Sequence, residues 1–334
     1  MPGPQLTFYS EIGKEDISRV FSDKTLELLK KMDAGVSLAI LDQSEERASL
    51  VTRLNNEEIP VTAWLLLPKE KGYWFNIGNY EYAAQLYSEF FLWSSDKKLT
   101  WQRIGLDFEP DIEEWDLLFF NRWGWMEKTV SRLLNRSELK KATIAYSKLI
   151  DQIQSDGYEV ETYHFPLISD ERKSKSKLLQ KISGIVDVFA DREVWMMYSN
   201  VLRPNGAGFL VSYAPEAEII ALGSTGGGID NVLYDVQPLN WQELERDLRL
   251  AWLWCDELYI FSLEGCIQQD FLEKLLNFTW DKPILLPTEQ ANRVNGWRST
   301  FRTGLWILSH PVYIILGLLA FYTFFKIFKR TLKS

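Results

Sequence analysis

The segment Arg103-Ile-Gly-Leu-Asp-Phe-Glu-Pro-Asp111 puts Asp107 and Glu109 two residues apart in an apolar run. In a β-strand, residues i and i+2 share a face. Both carboxylates then point the same way and lie within reach of each other. Two close carboxylates push their pKa values apart, so one stays protonated and serves as a general acid. That chemistry fits cleavage of a glycosidic bond. Glu109 would protonate the leaving oxygen, and Asp107 would orient a neighbouring group or stabilise positive charge. The bland alternative is a capped strand end whose carboxylates bond loop amides.

The elements that must position this pair follow from hydrophobic patterning. Eight apolar, β-branched or aromatic runs recur: 6–12, 36–41, 61–67, 103–108, 160–167, 194–198, 218–222 and 258–263. Several are nearly continuous in apolar residues, as parallel strands buried on both faces require. Helical periodicity fills the gaps, at 17–32, 44–55, 80–93, 115–134, 139–155, 173–182, 241–254 and 267–278. This alternation predicts a (β/α)8 barrel over residues 1–282. The competing fold is an open doubly wound sheet. Such a sheet would carry a glycine fingerprint after its first strand if it bound a dinucleotide, and Ser10-Glu-Ile-Gly-Lys14 has none.

A barrel gathers its functional groups at the C-terminal ends of its strands. Those ends carry Glu11, Asp42, Asp107 with Glu109, His164, Tyr198 and Glu264. We expect Asp107, Glu109 and Tyr198 as the catalytic set. Glu11, Asp42, His164 and Glu264 are the expected substrate contacts, with Trp74 and Trp195 as stacking platforms for sugar rings. A second candidate is Gly223-Ser-Thr-Gly-Gly-Gly-Ile-Asp230 after the seventh strand. There Ser224, Thr225, Gly226, Gly227 and Gly228 could wrap amides and hydroxyls around a phosphate. A flexible turn is the equal alternative.

The fourth-strand segment resembles that of the chitinase-like family 18 glycoside hydrolases. Their motif there is Asp-x-x-Asp-x-Asp-x-Glu, and this chain reads Gln102, Gly105, Asp107, Glu109, keeping the last two members. Their sixth strand carries Met-x-Tyr-Asp, and Met196-Met197-Tyr198-Ser199 keeps Met and Tyr. The resemblance implies Glu109 as acid, Asp107 as its partner and Tyr198 as a contact to a substrate carbonyl. It also implies a substrate N-acetyl group as nucleophile. Two other functions stand beside it. One is a barrel enzyme taking a phosphorylated or lipid-linked substrate through the 223–230 loop. The other is a catalytically inactive barrel serving as a glycan-binding or membrane scaffold module.

Composition narrows the field. The 334 residues are 46% hydrophobic and 25% charged, which excludes a disordered chain. Two cysteines and two histidines make a zinc centre or disulfide framework unlikely to be the organising feature, and no cofactor or resident metal is expected. Net charge is −9, yet residues 290–334 hold seven basic residues and no acidic one. The acidic remainder would repel a phosphate backbone, so nucleic acid is not an expected partner. Residues 304–325 form a run without Asp, Glu, Lys or Arg. As a helix this run would cover roughly 33 Å, enough to cross a bilayer. We therefore expect a linker at 283–303, a transmembrane helix at 304–325 and a short basic tail at 326–334. Met1–Lys14 lacks a basic and apolar leader pattern. That leads us to expect a C-terminally anchored protein with the barrel on the cytosolic side.

Overall fold

The computed structural model describes residues 3–114, 117, 121–135, 137–228 and 236–310. Eight parallel strands close on themselves in sequence order. They are β1 Gln5–Ser10, β2 Gly35–Ile40, β3 Val61–Leu65, β4 Arg103–Asp107, β5 Glu159–His164, β6 Arg192–Met196, β7 Ile219–Gly223 and β8 Glu257–Phe261. Closure comes from β1 against β8, with Leu6 opposite Leu258 and Phe8 opposite Ile260. β2 and β7 are buried at every residue, and their sequences are correspondingly apolar, with Ser37 the polar exception in β2. Helices cover the outside. Their starts obey local capping rules: Ser44 accepts the Arg47 amide at 3.3 Å, and Asn240 forms a reciprocal capping box with Glu243.

Two cores result. The outer one lies between strands and helices and includes Phe8, Leu106, Val160 and Trp195. The inner one fills the barrel with Tyr9, Trp64, Tyr163, Val194, Met196 and Tyr259. The two sets alternate along each strand, as the pleat demands. The lumen is aromatic and polar. The buried Glu161 carboxylate accepts the Tyr163 hydroxyl at 2.6 Å and the Tyr259 hydroxyl at 2.7 Å. Arg103 stands 3.9 Å from the same carboxylate and bonds Glu159 at 2.6 Å. Tyr163 also shares a 2.8 Å hydrogen bond with Ser37. Gly105 is what makes room for this tyrosine. A β-carbon there would stand 2.2 Å from the Tyr163 hydroxyl oxygen.

The C-terminal expectation needs correction. No helix among the described residues is long and apolar enough to cross a membrane, so neither a transmembrane helix nor bilayer contact is supported. The run from Gly304 to Ser309 is the end of a helix spanning Thr288–Ser309. That helix begins inside the expected 283–303 linker and packs on the helices Gly206–Tyr213, Leu167–Lys173 and Leu178–Ser183. Ala291, Val294, Arg298 and Leu305 are its buried residues, three to seven apart on one helical stripe. Residues 311–325 of the expected span and the 326–334 tail lie outside the described residues. Arg298 explains the docking. It bonds Asp170 at 3.0 Å and Glu216 at 2.9 Å and lies 3.7 Å over the Tyr213 ring.

Breaking a buried ion pair from one side leaves the other charge uncompensated. Arg298→Ala is expected to destabilise the chain by about 3–5 kcal/mol, read from urea unfolding. A loss below about 1 kcal/mol would place this pair with ordinary surface bridges. Gly105→Ala is expected to cost about 1–3 kcal/mol through overpacking against Tyr163, read in the same way.

Candidate active site

At the C-terminal mouth, β4 delivers Asp107 into the lumen and the chain then delivers Glu109 from the same face. Asp107 is 2% exposed and Glu109 9%. Both line a cavity of about 700 Å³, together with Glu11, Trp64, Tyr9 and Tyr198. Glu11 follows β1, and its carboxylate accepts the Tyr73 hydroxyl. Its amide donates to Glu264 at 2.8 Å. The chain after β1 is thereby tied to the chain after β8 beside the pair from β4.

Among the described residues that line the cavity, none but Arg298 carries a fixed positive charge. Arg298, the basic residue on the cavity wall, is committed to Asp170 and Glu216. The electrostatic result is a set of acids that resist ionisation. Burial pushes Glu109 up to about 8, and the Glu11 charge adds to it. Burial likewise pushes Asp107 well above the usual carboxylate range, helped by Glu109 and Glu11 and opposed by the Trp64 indole N–H. Glu264 is raised by burial, against backbone amides of Glu11 and Gly228 that favour its anion. One oxygen of Asp107 makes no hydrogen bond. An unpaired buried acceptor at the floor of a cavity is a place for a substrate hydroxyl, amide or water. The Tyr198 hydroxyl is held protonated, first by burial and then by the charges of Glu109, Asp107 and Glu11. It can therefore only enter this site as a neutral donor or acceptor.

The expected site residues divide. Asp107, Glu109, Tyr198, Glu11 and Trp74 line the cavity, and Glu264 lies behind Glu11. Asp42 does not join them. It bonds the fully buried Arg47 at 2.8 Å, and Arg47 also holds the carbonyls of Ala39 and Ile12. Burial alone would raise the Asp42 pKa, but Arg47 and Ser44 together hold it at about 2. Its role is to neutralise a buried arginine, so the substrate-contact expectation is corrected. Trp195 is corrected too. It faces the outer core, because Val194 and Met196 take the lumen positions on either side. His164 touches the cavity wall but stacks on Phe108 at 5.3 Å, with Nε2 3.9 Å from Glu193. Burial lowers its pKa, so the ring is neutral.

The glycine loop has a different partner from the one expected. Gly226, Gly227 and Gly228 all have positive φ. A β-carbon on Gly227 would meet the Glu264 side chain at 2.4 Å, and one on Gly228 would meet Glu11 Oε2 at 2.8 Å. The glycines are required for close approach to two carboxylates, whose charge opposes a bound phosphate. The loop hydroxyls are engaged as well. Ser224 Oγ accepts the Gly226 amide at 3.1 Å, and Thr225 Oγ1 bonds both the amide and the carbonyl of Ser262 at 3.0 Å.

Sequence reasoning missed the floor and the far wall of the cavity. Tyr9, Trp64 and Phe261 form an edge-to-face aromatic floor, with ring centroids 5.3 to 6.4 Å apart. Strand parity from Asp107 through the neighbouring strands was the available signal. For a metal, the described residues bring together one trio, His164, Asp187 and Glu193, with ligand atoms within 4.8 Å of one another. Arg172 already holds Asp187 at 2.5 Å and Glu193 at 2.6 Å. The guanidinium fills the place a cation would take.

No protein-family model matches the chain, and no curated protein sequence does. Among solved structures, the chain is similar to the PgaB (BpsB) glycoside hydrolase domain from Bordetella bronchiseptica. That match has a TM-score of 0.47 and 9% identity, covering 84% of this chain and 100% of that one. It is also similar to 3-keto-D-glucoside 4-epimerase YcjR from E. coli, with TM-score 0.43, 13% identity and coverage of 82% and 99%. A third is the mannanase catalytic domain from Streptomyces sp. SirexAA-E, with TM-score 0.40, 12% identity and coverage of 86% and 89%. At these identities and TM-scores the likenesses bear on neither substrate nor mechanism.

The raised acid makes a stability prediction. A carboxyl whose folded pKa lies near 8 keeps its proton in the folded chain while the unfolded chain loses it near 4.5. Stability is then full below about pH 4.5 and falls as pH rises through 8. Glu109→Gln removes this dependence. The melting temperature of Glu109→Gln minus that of wild type is expected to grow by several degrees between pH 5 and pH 8.5. A constant difference would mean that Glu109 is ionised at neutral pH.

Proposed function

We propose that this protein is a glycoside-hydrolase-like barrel enzyme in which Glu109 is the general acid and Asp107 its partner. The observation that supports this most is the pairing itself. Two carboxyls share a face at the end of β4, both are buried, and both open onto a cavity with no free cation among its described lining residues. Glu109 holds its proton at neutral pH and can give it to a departing glycosidic oxygen. As that bond breaks, positive charge builds on the sugar. Glu109, ionised once it has given up its proton, stabilises that charge, and a water then bonds to the sugar carbon in place of the departed oxygen and returns a proton to Glu109. Tyr198, kept as a neutral phenol, orients an oxygen of the substrate, and Trp74 offers an apolar face to a ring.

The phosphorylated-substrate reading loses support from the carboxylates beneath the glycine loop. The inactive-barrel reading makes the opposite kinetic forecast. The full chain is to be assayed on aryl glycosides and on N-acetylglucosamine oligomers. Wild type is expected to release product, and Glu109→Gln to lose about 10²- to 10⁴-fold in kcat with little change in KM. Because the acid must be protonated, kcat/KM is expected to fall above about pH 8. Equal rates for wild type and Glu109→Gln, or no turnover by folded wild type on the whole panel, would defeat the proposal.

A further inference from the structure

The cavity does not end at the carboxylates. From the cup it continues between Phe165, Ile168, Leu202 and Phe209 to the helix Thr288–Ser309, where Val294, Trp297 and Phe301 form its far wall. The chemistry changes along the way. The inner end is acidic and the outer part is apolar. Among the described lining residues, Arg298, Tyr213, Asn200 and Ser183 are already bonded within the protein, while the buried His164 ring nitrogens are not. Arg298 holds Asp170 and Glu216, and the Tyr213 hydroxyl donates to Asp170. Asn200 Oδ1 accepts the Ser224 amide at 3.0 Å, and Ser183 Oγ donates to the Leu179 carbonyl at 2.8 Å. A sugar unit placed here would bury hydroxyls without partners, at a cost of about 1–3 kcal/mol each.

The rim adds a second observation. Leu167, Val201, Leu202 and Trp297 are 40%, 41%, 38% and 53% exposed and stand together around this opening. Large apolar side chains grouped at the mouth of a cavity mark where an apolar ligand enters.

We propose that the outer cavity holds a long hydrocarbon chain attached to the leaving-group side of the substrate, which makes the substrate class an alkyl- or prenyl-linked glycan. The placement of the sugar rests on the hydrolase reading given above. The hydrocarbon site rests on the cavity alone. Such a ligand satisfies both ends at once, with polar groups at Asp107 and Glu109 and methylenes against Phe209, Val294 and Phe301.

The test separates the two readings. Binding of 1-hexanol, 1-octanol and 1-decanol to the full chain is followed by tryptophan fluorescence, for which Trp297 and Trp74 are reporters, and by calorimetry. Affinity is expected to rise about fourfold per methylene, the equivalent of about 0.8 kcal/mol. Geraniol, with as many carbons as 1-decanol, distinguishes a prenyl chain from a straight one by which of the two binds tighter. Leu202→Glu at the rim and Val294→Trp in the wall are each expected to remove the chain-length dependence. If a variant does not fold, the wild-type series decides alone, and flat affinity across it overturns the proposal. Alcohol binding with no glycoside cleaved would sink the hydrolase reading and leave the hydrocarbon site standing. Cleavage of alkyl glycosides with kcat/KM independent of chain length would do the reverse.

Discussion

Burying carboxylates inside a closed barrel is the constraint to which the rest of this molecule answers. The lumen does it twice, in different surroundings. At the lower level, Glu161 accepts two tyrosine hydroxyls and lies near the Arg103 guanidinium, contacts that favour its anion against the burial that raises its pKa. At the mouth, Asp107 and Glu109 lie beside Glu11, and burial together with carboxylate repulsion raises the pKa of both. The first arrangement is a structural filling. The second is a cluster of buried acids whose ionisation is disfavoured, the kind of arrangement that marks a candidate site. The rings of Tyr9, Trp64 and Tyr163, packed edge to face, lie among the lumen residues that fill the barrel.

Much of this was legible in the sequence, for reasons that can be located. The strands announce themselves because strands buried on both faces are rich in apolar residues, unbroken in β7 and carrying charge in β4 and β5. The Asp107–Glu109 pair was legible because period-two geometry is local and needs no tertiary information. Asp42 was misjudged because its partner, Arg47, is buried by helix docking, which no pattern around residue 42 reveals. Trp195 was misjudged on parity, since lumen and outer positions alternate and one step reverses the assignment.

Two expectations share a premise. The glycines at 226–228 suggested an anion, and the apolar run at 304–325 suggested lipid. In each case a residue type was matched to a solvent or ligand outside the chain, and in both the described partner is the chain itself. The glycines let backbone pass over Glu11 and Glu264, and Leu305 is buried where its helix meets the barrel's outer helices. Gly105 teaches the same point from the other side. It stands where the resembled motif has an aspartate, and the space is occupied by Tyr163, a residue of the next strand. A departure from a motif is here the trace of a tertiary neighbour.

The helix Thr288–Ser309 gives the chain an uneven division of labour. Every strand lies between Gln5 and Phe261, so the barrel's hydrogen-bonded ring is complete well before that helix begins. Yet Val294, Trp297 and Phe301 supply a wall of the cavity that opens from the carboxylates. A chain cut at the apparent domain end, near residue 282, would retain its entire sheet and surrender one side of its binding cleft. The helix is thus at once a wall of the cavity and, through the Arg298 pairs, part of what holds the chain together.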